Sequence, residues 1–398
     1  MRASAKALDL RKQPTPSRTA RVDELQRQLE KMFRRLRVSV IYAGNKDNQG
    51  AVLHPVLNTR SWKSYEAVAR DIGQSLSRLG VRDVTVLAED MNLGKSLKEA
   101  DSHMAWMNSG GVQGHSSVAH GPAMLEMFGI PYVGHDPMMA AILDAKHIFK
   151  RQLIAARLPT APFMIWHPSH SHANPVLDPE FKTSFAGCTT GYVVKPVSGR
   201  ASLNVHFVAS PDQLKAKVEE VYAVSGNYIL IEQFIPGREF CVAVSGPLVS
   251  RRRKIERLAE PFTFAILERV LEPDELIFTS MDVKPITNKR ARPLSRQDEP
   301  ELYERLAALG RAVVKTIGIE ALIRLDIRAD AEGNLFVLEA NPKPDLKAPS
   351  DTVTSLICIG LEEENMDYDD LIFSQIAHRI DVLFAENRGS SQRLRSLI

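Results

Sequence analysis

Residues 322–345, LIRLDIRADAEGNLFVLEANPKPD, gather the side chains in this sequence best suited to hold a metal ion. Their alternation has the period of a strand, and Gly333 supplies the positive φ for a tight turn over Ala331–Asn334. One face of the resulting hairpin carries Leu325, Ile327 and Ala329 with Phe336, Leu338 and Ala340; the other carries Arg324, Asp326 and Arg328 with Glu339 and Asn341. A four-residue turn sets Asp326 opposite Glu339 and Arg324 opposite Asn341. Two carboxylates, a carboxamide and an arginine then share one patch. Hard oxygen donors of this kind suit Mg²⁺, with substrate phosphates completing its octahedron. An isolated hairpin of this composition would equally serve as a solvated strand face, so the rest of the chain decides.

Further residues have the chemistry of phosphate binding. Gly191–Pro196 is a strand of large apolar residues interrupted by Lys195, a charge that solvation alone explains poorly in a buried strand. The small-residue loop 197–204 after it, with Arg200 and Ser202, has backbone N–H groups to lay over phosphates. Lys146 and Lys150 lie one helical turn apart in the segment 138–158; such a pair usually marks a wet helix face. FTSMDVK (278–284) ends in Lys284, and RRRKIER (251–257) reads as an exposed edge. The loop Asn108–Gly114, with Gly110 and Gly111, either turns the chain or approaches a ligand.

These residues need a scaffold, and the pattern supplies one. A buried strand at 37–42, a helix over 62–79, a strand at 84–87, a strand at 103–107 and a helix over 119–128 read as an α/β unit with a parallel sheet. Strands follow at 228–235 and 239–244 around Pro236-Gly237, then a helix at 301–318, the hairpin, and a closing helix at 368–387. The first 36 residues read as a flexible basic start followed by a helix from about 22 to 35; Asp9, Asp23, Glu24 and Glu30 count against an organellar leader. A chain of 398 residues, 44% hydrophobic, has room for two or three domains. Its net charge of +3 is too mild for a nucleic-acid surface, and no apolar run approaches a membrane span. Cys188, Cys241 and Cys358 have neither disulfide nor zinc spacing, which favours a reducing cytoplasm.

Taken in order, Lys146, Lys195, Glu232-Gln233-Phe234-Ile235, Glu239, Lys284, Arg324, Asp326 and Glu339-Ala340-Asn341 resemble the ATP-grasp carboxylate–amine ligases, most closely D-alanine–D-alanine ligase. HGPAMLEMFGIPYVG (120–134), KRQLIAARLPTAPF (150–163) and LIEQFIPGREFCVAVSG (230–246) support the match, which spans about residues 38–386. The resemblance implies an α/β chain, α+β in its ATP-grasp part, folded as three domains with ATP between the central and C-terminal ones. Expected boundaries are a basic tail and helix at 1–36, an N-terminal α/β domain at 37–140, a central subdomain at 141–232, a C-terminal subdomain with the metal site at 233–388, and a tail at 389–398. It further implies that Glu232 and the backbone of Gln233, Phe234 and Ile235 bind adenine, and that Glu239 binds ribose. Lys146, Lys195, Ser202 and Lys284 would bind phosphates. Asp326, Glu339 and Asn341 would hold two Mg²⁺ ions, with Mn²⁺ as a substitute, and Arg324 and Lys284 would be catalytic. The implied reaction forms an amide from a small carboxylate and an amine through an acyl phosphate, under a lid drawn from 197–204 or 260–285. Homodimers are common in that family, the one pointer to a homodimer here.

The departures from that family concern the amino-acid half. Its ammonium-gripping Glu after the first strand has no counterpart in AGNKDNQGAVLHP (43–55), and a GEDG-like run is replaced by GGVQGHSS (110–117). Glu-Gly-Ser-Ser becomes Gly199-Arg200-Ala201-Ser202, a tyrosine after the lid lysine becomes Pro285, and Thr-Ser-Pro-Gly-Met becomes Pro342–Leu346. Ser350 falls where a serine binds the second substrate's carboxylate, Lys343 and Lys347 near that end could recognise an extra carboxylate, and Gly110 and Gly111 are further candidate substrate contacts. The expectation is therefore an acid–amino-acid ligase that departs from a strict D-alanine pair. A non-ligating, regulatory ATP-binding protein is the alternative. A dinucleotide enzyme fits less well, because the GxGxxG spacing is missing.

Overall fold

The computed structural model describes residues 18–44, 52–54, 63–199, 203–272, 275–277, 290–350, 355–386 and 390–398. It contains three main sheets. The first takes β1 (Arg37–Tyr42), β2 (Asp83–Ala88), β3 (Met104–Met107) and β4 (Tyr132–Val133) in the order β2-β1-β3-β4, all parallel. Helices α1 (Arg18–Phe33), α2 (Glu66–Arg78), α3 (Leu93–Glu99) and α4 (His120–Phe128) accompany it. The strand order reverses direction between β1 and β3, where open α/β sheets bind ligands beyond their carboxyl ends.

The second sheet is antiparallel. It joins β5 (Phe163–Trp166), β6 (Tyr192–Pro196), β7 (His206–Val208) and β8 (Ile229–Gln233) in the order β5-β8-β6-β7. Helices α7 (Pro179–Ser184) and α8 (Leu214–Ser225) share its core through Phe181, Leu214 and Val218.

The third sheet holds the hairpin. Its path is β14-β13-β9-β15-β16, from β9 (Arg238–Ser245), β13 (Leu267–Arg269), β14 (Ala291–Pro293), β15 (Ile323–Ala329) and β16 (Leu335–Asn341), with β12 (Phe262–Thr263) also on β9. A separate hairpin pairs β10 (Leu248–Arg251) with β11 (Lys254–Arg257). Helices α5 (Pro137–Asp144), α6 (Lys146–Ala155) and α9 (Pro300–Ile317) bury Leu143, Phe149, Leu153, Leu306 and Val313 against β9, β15 and β16. Although β8 and β9 are consecutive, they do not pair. Gly237 carries the chain from one sheet to the next at φ 134°, and a Cβ there would lie 2.0 Å from the Ala329 carbonyl oxygen.

Two expectations change on inspection. The 138–158 segment is two helices, broken at Ala145 (ψ 92°), and the first N–H of α6, that of Lys146, donates to the Val197 carbonyl oxygen at 2.8 Å. RRRKIER is an exposed edge only in part: Arg252, Lys254 and Glu256 are exposed, but Ile255 is buried. Arg252 and Arg253 form a turn with both φ positive, and their N–H groups donate to the buried Asp370 carboxylate at 2.9 and 2.8 Å.

Both termini of the described chain are built into one large core. Leu29, Met32 and Phe33 of α1 meet Leu371, Ile376 and Ile380 of α10 (Tyr368–Ala385), and Leu394 of α11 (Ser391–Arg395) joins them. The Gln26 side chain exchanges hydrogen bonds with the Arg253 carbonyl and the Ile255 N–H, so α1 covers the free edge of β11.

Candidate active site

The face of the third sheet turned to the second lines a cleft. Strand register arranges its charged residues in rows. Arg269 (β13) lies opposite Glu239 (β9), which lies opposite Arg328 (β15). One row on, Cys241 lies opposite Asp326, and Asp326 opposite Glu339; in the next, Arg324 lies opposite Asn341. The expected pairing holds, but by a different route. The turn takes the five residues from 330 to 334, so Ile327 faces Val337, and a bulge at Leu338 returns Glu339 to Asp326. As a result Leu335 and Val337 point into the core with Ala340, while Phe336 and Leu338 do not. Leu338 becomes a wall of the cleft.

The carboxylates are held by cations. Asp326 receives Arg324 Nε at 3.0 Å on one oxygen, and on the other Arg324 Nη2 at 3.3 Å and Arg269 Nη2 at 3.4 Å. Burial alone would raise its pKa, but the two guanidiniums outweigh burial and hold it down to about 2. Glu239 is gripped by Arg269 Nη1 at 3.0 Å and Arg328 Nε at 3.1 Å. Lys146 Nζ stands 3.3 Å from Glu339 and 3.4 Å from the Gly199 carbonyl oxygen. The helix break at Ala145 is what brings Lys146 to this position.

Glu232 sits at the other end of the cleft. Lys195 Nζ lies 3.1 Å and Lys150 Nζ 3.5 Å from its Oε2, an atom buried without a well-directed hydrogen bond. Lys150 is the opposite of a wet face. It is fully buried, and its ammonium donates to Thr160 Oγ1 at 2.6 Å, whose hydroxyl donates to the Val337 carbonyl at 2.7 Å. Burial lowers the Lys150 pKa to about 8 despite Glu232. Burial works against Lys195 too, but Glu232, Glu339 and Glu239 outweigh it and raise its pKa.

The stretch Gln233–Ile235 closes the cleft beside apolar Val193, Ile277 and Leu338. The Gln233 and Phe234 N–H groups donate to Pro162 and Gly191, and the Phe234 and Ile235 carbonyls accept from Thr190 Oγ1 and Arg328 Nη1. Ser202 and Lys284 lie outside the described residues, as does Arg200. The remaining expected residues are elsewhere. Gly111, at φ 83°, packs against the backbone of Ser117 and is no part of this cleft. Lys347 pairs with Asp71 at 2.6 Å, Lys343 Nζ lies 3.3 Å from the Tyr65 ring centre, and Ser350 is exposed.

Sequence reasoning missed Arg269, Cys241 and the roles of Arg328 and Lys150. For Arg269 the signal was present: like Lys195, it is a cation inside a buried strand.

The donor set fits a divalent cation. Asp326, Glu339 and Asn341 present hard oxygens from adjacent strands on one face, and among the described residues no larger His, Cys, Asp or Glu cluster competes. Among the described residues, the cleft sets five cations, Lys146, Lys195, Arg269, Arg324 and Arg328, against the four carboxylates Glu232, Glu239, Asp326 and Glu339. That balance, at the mouth of an apolar slot, suits a polyanion carrying a flat apolar base.

Fold and cleft thus define an ATP-grasp enzyme, and comparison with known proteins narrows the class. A family model described as the D-ala D-ala ligase C-terminus matches residues 153–377. A D-alanine–D-alanine ligase of Geobacter sulfurreducens is 25% identical over 80% of this chain and 84% of its own, and one of Gloeobacter violaceus is 27% identical over 78% and 93%. The crystal structure of a Bacillus anthracis D-alanine–D-alanine ligase complexed with ATP superposes with a TM-score of 0.65 at 18% identity, covering 88% of this chain and 99% of that one. The chain belongs to the D-alanine–D-alanine ligase family and is an ATP-dependent ligase that forms a peptide bond.

Proposed function

We propose that this ligase binds Mg-ATP in the cleft between the second and third sheets and joins a small amino acid or carboxylate to an amino-acid acceptor. The observation that carries this reading is the row structure of the third sheet, which sets Arg324, Asp326, Glu339 and Asn341 side by side. The described part of the cleft divides by chemistry. The apolar slot of Val193, Phe234, Ile277 and Leu338 would take the adenine ring. The buried Glu232 Oε2 would accept from its amino group. The purine edge would use the Gln233 carbonyl and the Ile235 N–H, since the neighbouring backbone groups are engaged within the protein. Glu239 would accept from ribose, and Lys146 and Lys195 would neutralise phosphates, with Ser202 and Lys284 assigned alongside by resemblance.

Asp326, Glu339 and Asn341 would hold the magnesium ions, with Mn²⁺ as a substitute. Bound there, such ions neutralise phosphoryl charge and fix its geometry. The protein's own part is to make a carboxylate reactive. A carboxylate has no good leaving group, so its oxygen takes the γ-phosphoryl of ATP and ADP departs. The acceptor amine then adds to the acyl carbon, and phosphate leaves as the amide forms. Arg324, held by Asp326, would balance the charge of the phosphoryl group and of the tetrahedral intermediate. On the amino-acid side, the altered run Pro342–Leu346 supports substrates other than a D-alanine pair.

The acyl phosphate is tested by oxygen transfer. With a donor labelled by ¹⁸O in its carboxylate, released phosphate should carry one labelled oxygen per amide formed. Unlabelled phosphate would remove the acyl phosphate from the account.

A further inference from the structure

Arg269 has the most demanding position in the cleft and no role in the scheme above. It closes β13, is almost wholly buried, and points a planar guanidinium between two strands. Nη1 donates to Glu239 Oε1 at 3.0 Å, Nε to Cys241 Sγ at 3.0 Å, and Nη2 to Asp326 Oδ2 at 3.4 Å. One side chain therefore ties the carboxylate assigned to ribose to the carboxylate assigned to metal. A lysine could not do this, because only the guanidinium fork reaches both at once.

The other partners of Asp326 sharpen the point. Arg324 contacts both of its oxygens, the Asn341 amide lies 3.4 Å from Oδ2, and the Cys241 thiol 3.5 Å from Oδ1. Both oxygens of Asp326 already carry a guanidinium contact, so a divalent cation there competes with Arg324 and Arg269. Arg324 is the neighbour needed on the reacting phosphoryl group, which leaves Arg269 as the one to yield. A polyphosphate entering beside Lys146 and Lys195 gives Arg269 a replacement anion within the same cleft. Without that anion, freeing Asp326 would take from a buried guanidinium one of the two carboxylates it bridges, at an electrostatic cost.

We propose that Arg269 is a positioning residue that makes cation binding at Asp326 conditional on nucleotide. It holds Asp326 and Glu239 in place as a pair and gives up Asp326 when nucleotide phosphates arrive. Cation and nucleotide are thereby taken up together, and carboxylates that would otherwise collect free cations are kept covered. This rests on the assignment of Asp326 to the metal.

The test is Mn²⁺ binding to the full chain, by titration calorimetry or by paramagnetic detection of free Mn²⁺, with and without a non-hydrolysable ATP analogue. Without nucleotide, R269Q should bind Mn²⁺ about tenfold or more tighter than wild type, within the usual range of coupling between sites. The gain should vanish in R269Q/D326N. R269K, which keeps the charge but cannot bridge both carboxylates, should show a smaller gain and guards against misfolding of R269Q. Nucleotide-free Mn²⁺ affinity unchanged in both Arg269 variants, with D326N still weakening Mn²⁺ binding in the presence of nucleotide, would overturn the role of Arg269 and leave the metal site standing. Indifference of nucleotide-dependent Mn²⁺ binding to D326N would overturn both.

Discussion

Lys150 shows what a single residue can reveal about this cleft. An ammonium with no exposure must be paired or neutral, and Lys150 shares the single carboxylate of Glu232 with Lys195. Burial dominates at Lys150, the neighbouring Lys195 charge adds to it, and the Lys150 pKa falls to about 8. That value lies below the roughly 10.4 of an unfolded lysine. Between the two, the unfolded chain binds more protons than the folded one, so the stability contributed at this position rises with pH. The prediction is that wild type gains on K150M by about 1–2 kcal/mol from roughly pH 7.5 to roughly pH 9.5, read from urea midpoints. A pH-independent difference would mean that the buried amine keeps an ordinary pKa.

At the scale of elements, the β16 bulge is the feature with most consequence. It places Leu338 and Glu339 on one face, so a hydrophobic wall and a metal-type carboxylate come from neighbouring residues. L338A should raise the KM for ATP about tenfold, as expected for losing roughly 1.4 kcal/mol of apolar contact, with kcat and thermal stability nearly unchanged. An unaltered KM would remove Leu338 from the adenine slot. The same bulge shows where legibility in the sequence stops. The alternation of Arg324, Asp326 and Arg328 marks the charged face and its partner strand. Neither the five-residue turn nor the extra residue leaves a mark in composition, and the two compensate at Asp326. The break at Ala145 was invisible for a similar reason: Ala is a strong helix former, and the break is stabilised by the distant Val197 carbonyl. Arg269 was legible in principle, since a cation in a buried strand is the signal that marked Lys195. Its two carboxylates come from β9 and β15, however, and only the sheet order brings them together.

Across the whole molecule, the parallel sheet is fastened to the hairpin side by ion pairs and a shared core. Arg78 bonds Asp369 at 2.6 Å, Lys347 bonds Asp71 at 2.6 Å, and Arg379 reaches both Glu320 and the Tyr132 carbonyl at 2.9 Å. Helix α1 contributes to that core although it adds nothing to the cleft. L29A should therefore cost about 3 kcal/mol in thermal or urea unfolding and leave the KM for ATP intact. A loss well under about 1 kcal/mol would mean that α1 is an ornament to the fold. The second and third sheets meet chiefly through α6, the Thr160–Val337 contact and the cleft itself. Such an arrangement suits a site that must close over an intermediate water would destroy.

The measurement that bears most directly on the account is phosphate release from Mg-ATP with D- and L-amino acids and small carboxylates, offered singly and in pairs. Products would be weighed by mass spectrometry, and R324A run alongside. The account predicts release only with a productive pair, one phosphate per adduct lighter than its components by one water. It predicts that R324A loses about 10²–10³ of this rate while still binding ATP. ATP hydrolysis without an adduct, or ligation undiminished in R324A, would contradict it.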